Sequence, residues 1–182
     1  MNKALLLIDI QNDYFPGGAM ELIGSPLAGE NAGRLLRTFR ERNLLIVHIQ
    51  HISTRQGATF FLPNTSGVQI HESVAPNVGE TVFRKNYPNS FRETSLLEYL
   101  HKHHITQLVI AGMMTQMCID TTTRAGFDLG FQCTLASDAC AARNLSFGGV
   151  TVSAENVHIA FLAALNGTFA KVLSVEEVCK HL

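Results

Sequence analysis

Short apolar runs alternate along the chain with segments of helical periodicity. Five runs are predicted to be buried, largely parallel strands, at residues 4–8, 44–47, 107–111, 133–136 and 170–173. Helices are expected between the strands. The first begins at Ser25 and Pro26, and three more cover 95–103, 115–129 and 153–165. A fifth begins at Ser174, which forms a capping-box pattern with Glu177. The alternation predicts an α/β fold, a three-layer α/β/α sandwich around a mostly parallel, Rossmann-like sheet of about six strands. A single domain spanning residues 1–182 is expected.

This architecture indicates where to look for function. Ligands of such sheets bind beyond the carboxyl ends of the strands. The irregular stretch 51–80 is longer than usual connections, so it is either a lid or substrate loop or a plain surface excursion.

Composition and charge exclude several classes of protein. The chain of 182 residues has a formal net charge of −1, and no basic run offers a surface for nucleic acid. No apolar run approaches the roughly 20 residues that span a bilayer, and no nucleotide-binding motif is present. The four cysteines have no CxxC spacing, which favours free thiols. We therefore expect a cytoplasmic protein without a cofactor, a nucleic-acid partner or a membrane partner.

Cys118 is the cysteine with a reactive setting. It follows Gly112 at a strand-to-helix transition, with Thr115 as the expected N-cap. A helix N-terminus lowers the pKa of a thiol and presents amides to an oxyanion. The alternative is a buried small hydrophobe, the role expected for Cys133, Cys140 and Cys179.

Asp9 and Lys85 are candidates to assist that thiol. Asp9 ends the first apolar run, where a buried carboxylate requires a partner. Capping a loop is the alternative role for Asp9 and the role expected for Asp13. Lys85 follows a short extended run before Pro88. Such a lysine is usually a solvated charge, but beside Asp9 it would hold the carboxylate ionised and favour a thiolate.

The histidines do not predict a metal site. His48 and His51 are three residues apart, and such residues point to opposite faces of a strand. His103 and His104 are expected at a solvated helix end.

Three ordered motifs resemble the isochorismatase-like cysteine hydrolases, which include nicotinamidases and carbamoylsarcosine amidases. They are the segment 7–15 with Gly17 and Gly18, the lysine Lys85, and the segment 112–118 followed by Thr122. The resemblance implies that Asp9 accepts the thiol proton, Cys118 attacks a carbonyl to form a thioester, and Lys85 steadies the charges. It further implies an oxyanion hole of the Met114 and Cys118 amides, a cis peptide at Met113–Met114, and a homo-oligomer (dimer or tetramer).

Departures from the family narrow the function. Nicotinamidases carry an Asp-x-His metal motif after the second strand, whereas this chain has His48 to Ser53 there without that pattern. Vinyl-ether-cleaving isochorismatases lack the cysteine, so Cys118 favours a small amide, lactam or ureide as substrate. The expected pocket is formed by Tyr14, Phe60, Phe61, Phe91 and Met114, although Phe60 and Phe61 are equally compatible with the core.

Two other functions are compatible with the sequence. One is vinyl-ether hydrolysis of an isochorismate-like acid, for which Arg55 or Arg84 would supply the cation. The other is a non-catalytic ligand-binding domain that keeps the fold.

Overall fold

The computed structural model describes residues 2–182. Its strands are β1 Lys3–Ile8, β2 Leu45–His51, β3 Thr81–Lys85, β4 Gln107–Met113, β5 Gln132–Ala141, β6 Leu145–Phe147, β7 Val150–Val152 and β8 Lys171–Leu173. Six of them form one sheet in the order β3-β2-β1-β4-β5-β8, with every pairing parallel. The remaining two, β6 and β7, form an antiparallel hairpin.

The α-helices are α1 Ser25–Glu41, α2 Leu96–Lys102, α3 Asp120–Asp128, α4 Ala154–Leu165 and α5 Val175–Lys180. A π turn, Thr115–Ile119, leads directly into α3. Two short 3₁₀ turns lie at Asn12–Tyr14 and Glu72–Val74.

Strand β1 shows why the helices divide between two faces. Its alternate residues enter different cores: Leu5 and Leu7 pack in one, while Leu6 and Ile8 pack in the other. The first core contains residues of α1 and α5, and the second contains residues of α2, of the π turn that precedes α3, and of α4. Because both faces are covered, the strand is apolar throughout, as parallel strands require.

The predicted α/β fold with a six-stranded, parallel, Rossmann-like sheet is confirmed. The capping box is confirmed too, since Ser174 Oγ accepts from the Glu177 amide and Glu177 Oε2 accepts from the Ser174 amide. The hairpin of β6 and β7 was not predicted.

Two helix starts differ from the prediction. The N-cap of α1 is Gly24, and the Ser25 hydroxyl donates to Leu22 O instead of capping. The segment predicted as a helix from Thr115 begins as the π turn, with Met114 as its N-cap. Thr115 does not cap it, because its hydroxyl donates to Ala141 O.

The long loop 52–80 folds back on its own chain. The Gln11 side chain donates to Val68 O at 2.8 Å, and the Asp13 amide donates to Gly67 O at 2.9 Å. The Asp13 carboxylate accepts from the amides of Phe61 at 2.6 Å and Ala19 at 3.1 Å. Asp13 therefore has the structural capping role predicted for it, and the loop covers the carboxyl edge of β1.

None of the helices within residues 2–182 combines the length and apolar character needed to cross a membrane.

Candidate active site

Asp9, Lys85 and Cys118 meet at the carboxyl edge of the sheet. Asp9 follows β1, Lys85 ends β3, and Cys118 lies in the π turn after β4. All three are buried, with 0%, 2% and 4% of their surfaces exposed. The convergence that sequence alone left open is present in the fold.

A close approach between β4 and β1 supports this arrangement. Gly112 pairs with Ile8, the residue before Asp9, and has a φ of +138°. A Cβ atom at Gly112 would lie 1.9 Å from Ile8 O, so only glycine fits. Asp9 itself has a φ of +52°, and its amide donates to Ile49 O at 3.0 Å.

Lys85 and Asp9 form a buried ion pair. Lys85 Nζ lies 2.7 Å from Asp9 Oδ2 and donates to Pro88 O at 3.1 Å. Burial alone would lower the pKa of Lys85, but the negative charges of Asp9 and Cys118 outweigh it and raise that pKa above its usual value. Lys85 is therefore a fixed cation, held between the carboxylate and the thiol.

The environment of Cys118 keeps its thiol protonated. Burial raises the pKa of Cys118, the charge of Asp9 raises it further, and Lys85 acts in the opposite direction. This direction differs from the lowered pKa expected for a helix N-terminus, because desolvation in a closed site exceeds the effect of the helix end. A neutral thiol beside a carboxylate is an arrangement in which Asp9 can take the proton as Cys118 attacks.

His51 is a further polar residue at this site. Its Nδ1 lies 3.8 Å from Asp9 Oδ2, and its side chain is 15% exposed. Gln11 fixes the backbone of His51 with two hydrogen bonds, donating to His51 O at 2.9 Å and accepting from the His51 amide at 2.7 Å. Burial lowers the pKa of His51, although the Asp9 charge opposes this.

Sequence reasoning missed His51 because it considered this residue only as a partner of His48. Its position as the last residue of a strand beside β1 was an available signal, since parallel strands end at the same edge.

The turn before Cys118 has the backbone features expected from the resemblance. The Met113–Met114 peptide is cis. Met114 O accepts from the amides of Met117 at 3.0 Å and Ile119 at 3.3 Å, which forms the π turn. The oxyanion hole of the Met114 and Cys118 amides stays a prediction.

The aromatic residues predicted for the pocket separate into two places. The Tyr14 ring centroid lies 5.8 Å from that of Phe60 and 4.6 Å from that of Phe61. Burial raises the pKa of Tyr14 well above its usual value, and the charges of Cys118 and Asp9 add to this. Tyr14, Phe60 and Phe61 therefore form an aromatic wall beside the catalytic candidates, and Met114 is buried in the same core.

Phe91 is not part of that wall. Its ring stacks on Phe131 with a centroid distance of 6.1 Å, and it lies 3.7 Å from a Cβ placed at Gly126. Phe91 packs against the core that contains Cys118, whereas Tyr14 and Phe61 belong to the core on the other face of the sheet. A role for Phe91 in binding substrate stays a prediction.

The other cysteines have different surroundings. Burial raises the pKa of Cys133 and of Cys140 to about 12. Cys140 belongs to β5 and borders a separate cavity of about 270 Å³, which is also lined by Ile23, Leu27 and His158. Neither Asp9 nor Cys118 lines that cavity, and both are almost completely buried.

The polar residues in β2 and in the loop after it have separate partners. His48 Nε2 lies 2.8 Å from Glu80 Oε2, away from His51. The His71 ring stacks on Phe15 with a centroid distance of 3.5 Å and accepts from the Ser73 amide. The Ser53 amide donates to Phe61 O. These groups do not converge on one point.

The fold is a parallel α/β sheet, and an aspartate, a lysine and a cysteine are buried together at its carboxyl edge. This combination is the one expected of an isochorismatase-like cysteine hydrolase. Comparison with known proteins identifies the family. The isochorismatase domain model matches residues 3–177. An uncharacterized isochorismatase family protein of Bacillus subtilis, YddQ, is 48% identical over 180 residues, covering 99% of this chain and 100% of its own.

A crystal structure from Oleispira antarctica, assigned to the isochorismatase hydrolases, has a TM-score of 0.95 at 47% identity, with 98% of this chain and 96% of that chain covered. Maleamate amidohydrolase of Pseudomonas putida is 30% identical over 143 residues, 71% of this chain and 67% of its own. The chain belongs to the isochorismatase family and is a hydrolase of that family.

Proposed function

We propose that this protein hydrolyses a C–N bond of a small amide, lactam or ureide through a thioester on Cys118, without a metal. The observation that carries the proposal is the buried ion pair between Lys85 Nζ and Asp9 Oδ2 at 2.7 Å, in electrostatic contact with Cys118. The relationship to maleamate amidohydrolase supports amide cleavage as the reaction class.

The reaction begins with the neutral thiol. Asp9 accepts the proton as the Cys118 sulfur bonds to the substrate carbonyl carbon, and the C=O electron pair moves onto oxygen. Lys85 then faces a tetrahedral intermediate and stabilises its charge. The C–N bond breaks, and the amine leaves with the proton from Asp9. Water attacks the thioester with Asp9 again as base, which releases the acid and restores the thiol.

The site favours a small substrate. Tyr14, Phe60 and Phe61 provide apolar surface beside Asp9, suited to a flat or cyclic group. Arg143 is exposed, and its charge acts against the rise in the Tyr14 pKa, so a cation lies within electrostatic reach of this wall. Amides that carry a carboxylate belong in a substrate panel for this reason.

Vinyl-ether hydrolysis has weaker support. Arg84 is exposed, next to Lys85 on β3 but on the opposite side of that strand, and its Nε donates to Gln50 Oε1 at 3.3 Å. Arg84 therefore points away from Lys85 and Asp9. Arg55 is exposed in the loop.

The test is release of ammonia or amine from neutral and carboxylate-bearing amides, lactams and ureides, with and without chelator. Cys118→Ala is expected to lose turnover, whereas Cys133→Ala, which alters another buried cysteine, is expected to keep it. Turnover in the presence of chelator, with an acyl adduct on Cys118 detected by mass spectrometry, would support the mechanism. Equal turnover by Cys118→Ala would refute it, and no turnover on any compound would favour a binding domain.

A further inference from the structure

Asp9 and Cys118, which the proposed reaction uses, form a cluster with His51, which that reaction does not use. Each offers one potential ligand atom, a carboxylate oxygen, an imidazole nitrogen and the sulfur, and the three atoms lie within 4.8 Å of one another. Carboxylate, imidazole and thiolate are the three ligand types that bind Zn²⁺ in proteins. We propose that this cluster is an inhibitory site for Zn²⁺ and similar thiophilic cations.

The distances suit an ion after a small adjustment. Zinc bonds of about 2.0 to 2.3 Å in a tetrahedron place ligand atoms roughly 3.3 to 3.6 Å apart. The His51 Nδ1 to Asp9 Oδ2 distance is already 3.8 Å. All three ligand atoms lie within 4.8 Å of one another, so a pair at that limit must approach by about 1.2 Å to reach the upper end of the zinc spacing. Water would complete the tetrahedron.

The rest of the site makes ligand atoms available. Lys85 occupies Asp9 Oδ2, whereas Asp9 Oδ1 is buried and has no hydrogen-bond partner among residues 2–182. The His51 ring is also free of hydrogen bonds within that range, and its partial exposure opens a path to the ion. On binding, the S–H bond of Cys118 breaks, an S–Zn bond forms, and the proton passes to the buffer.

Lys85 is the feature that opposes a cation here. Its ammonium repels Zn²⁺ in a site of low dielectric, so binding is weaker than in a structural zinc site. A bound ion occupies the nucleophile and the base together. It therefore blocks any reaction that uses them, which is why the site is inhibitory and reversible by chelator.

The first test uses Cd²⁺ as a spectroscopic probe on the whole protein without substrate, so it does not depend on the proposed function. Thiolate coordination produces an ultraviolet charge-transfer band. We expect the band in wild type at one equivalent of Cd²⁺ and its loss in Cys118→Ser. In His51→Asn the Zn²⁺ affinity measured by calorimetry should fall at least about tenfold, the effect that even outer ligand-shell changes produce.

His71→Asn is the matched control, because His71 accepts a hydrogen bond from Ser73 outside the cluster; its affinity should equal that of wild type. Circular dichroism of each variant establishes that it is folded. Absence of the band in wild type, or a band and affinity unchanged in His51→Asn, would overturn the proposal.

Discussion

Replacing Gly112 tests whether the contact between β1 and β4 holds the active site together. In Gly112→Ala the new methyl group would lie 1.9 Å from Ile8 O, 2.8 Å from Ile8 C and 2.9 Å from Ile8 N. All three are backbone atoms of the neighbouring strand, so no flexible side chain can move aside. The two strands must separate or the peptide must rotate.

The cost has two components. Overpacking in a core costs about 1 to 3 kcal/mol, and a residue with a Cβ in a sparsely populated φ region costs about 1 to 3 kcal/mol. The free energy of unfolding of Gly112→Ala should therefore fall by about 2 to 6 kcal/mol. Because Ile8 directly precedes Asp9, any separation also moves the Asp9 carboxylate relative to Cys118, and turnover should decrease even where the variant remains folded.

Gly130→Ala is the matched control. Gly130 also has a positive φ, +91°, but nothing lies within 4 Å of its Cβ position. Gly130→Ala therefore has the backbone strain of a positive φ without a steric clash, and its free energy of unfolding should fall by about 1 to 3 kcal/mol. The free energy of unfolding of both variants is measured by urea denaturation, and the comparison is valid where their m-values equal that of wild type. If the two variants lost the same free energy, the close approach of β4 to β1 would be refuted.

Three further predictions concern charge and surface. Asp9→Asn should lower the pKa of Cys118 and Lys85→Met should raise it, because Asp9 raises that pKa and Lys85 lowers it. Iodoacetamide should therefore alkylate Cys118 near neutral pH faster in Asp9→Asn than in wild type, and more slowly in Lys85→Met. The reverse order of alkylation rates would contradict these electrostatic effects. Burial raises the pKa of Glu80, but hydrogen bonds from Arg40, Asn77 and His48 outweigh burial and lower that pKa to about 2. Ionised Glu80 therefore stabilises the fold above its ordinary pKa of 4.5, and this contribution disappears as pH falls toward 2. The difference in unfolding free energy between wild type and Glu80→Gln should shrink over that pH range, and a constant difference would exclude linkage to Glu80. The homo-oligomer predicted from the family resemblance is expected to use the apolar face of α4, where Ile159 is 56% exposed. Ile159→Glu should therefore reduce the molecular mass measured by light scattering. An unchanged mass would place the subunit interface elsewhere.

Features that depend on periodicity were predictable from the sequence. The apolar runs gave the strands of the sheet, and the Ser174–Glu177 pattern gave the start of α5, because burial and capping are local properties. Asp9 and Cys118 stood out because each follows an apolar run, and parallel strands end at one edge. Lys85 was assigned to the site through the family resemblance, since a lysine in its position is usually a solvated charge.

Features that depend on the path of loops were not predictable. Phe91 follows Lys85 closely in sequence, but its ring stacks on Phe131 and not on Tyr14, Phe60 or Phe61. Conversely, His51 lies beside Asp9 through pairing of β2 with β1. The direction of the Cys118 pKa shift was also missed, since a helix end is visible in sequence whereas the extent of burial is a property of the packed structure.

The closed site explains how a protonated thiol can still be a nucleophile. Before the reaction the charges are Asp9 negative, Lys85 positive and Cys118 neutral. Transfer of the proton from Cys118 to Asp9 leaves one negative and one positive charge, so no additional charge is created in the buried site. The ammonium, already 2.7 Å from Asp9 Oδ2 and in electrostatic contact with Cys118, pairs with the thiolate in place of the carboxylate. Desolvation disfavours creation of a new charge, but this proton transfer only moves a negative charge from Asp9 to Cys118. Burial therefore adds little to its free energy, and Cys118 can become a thiolate when a substrate reaches the sulfur.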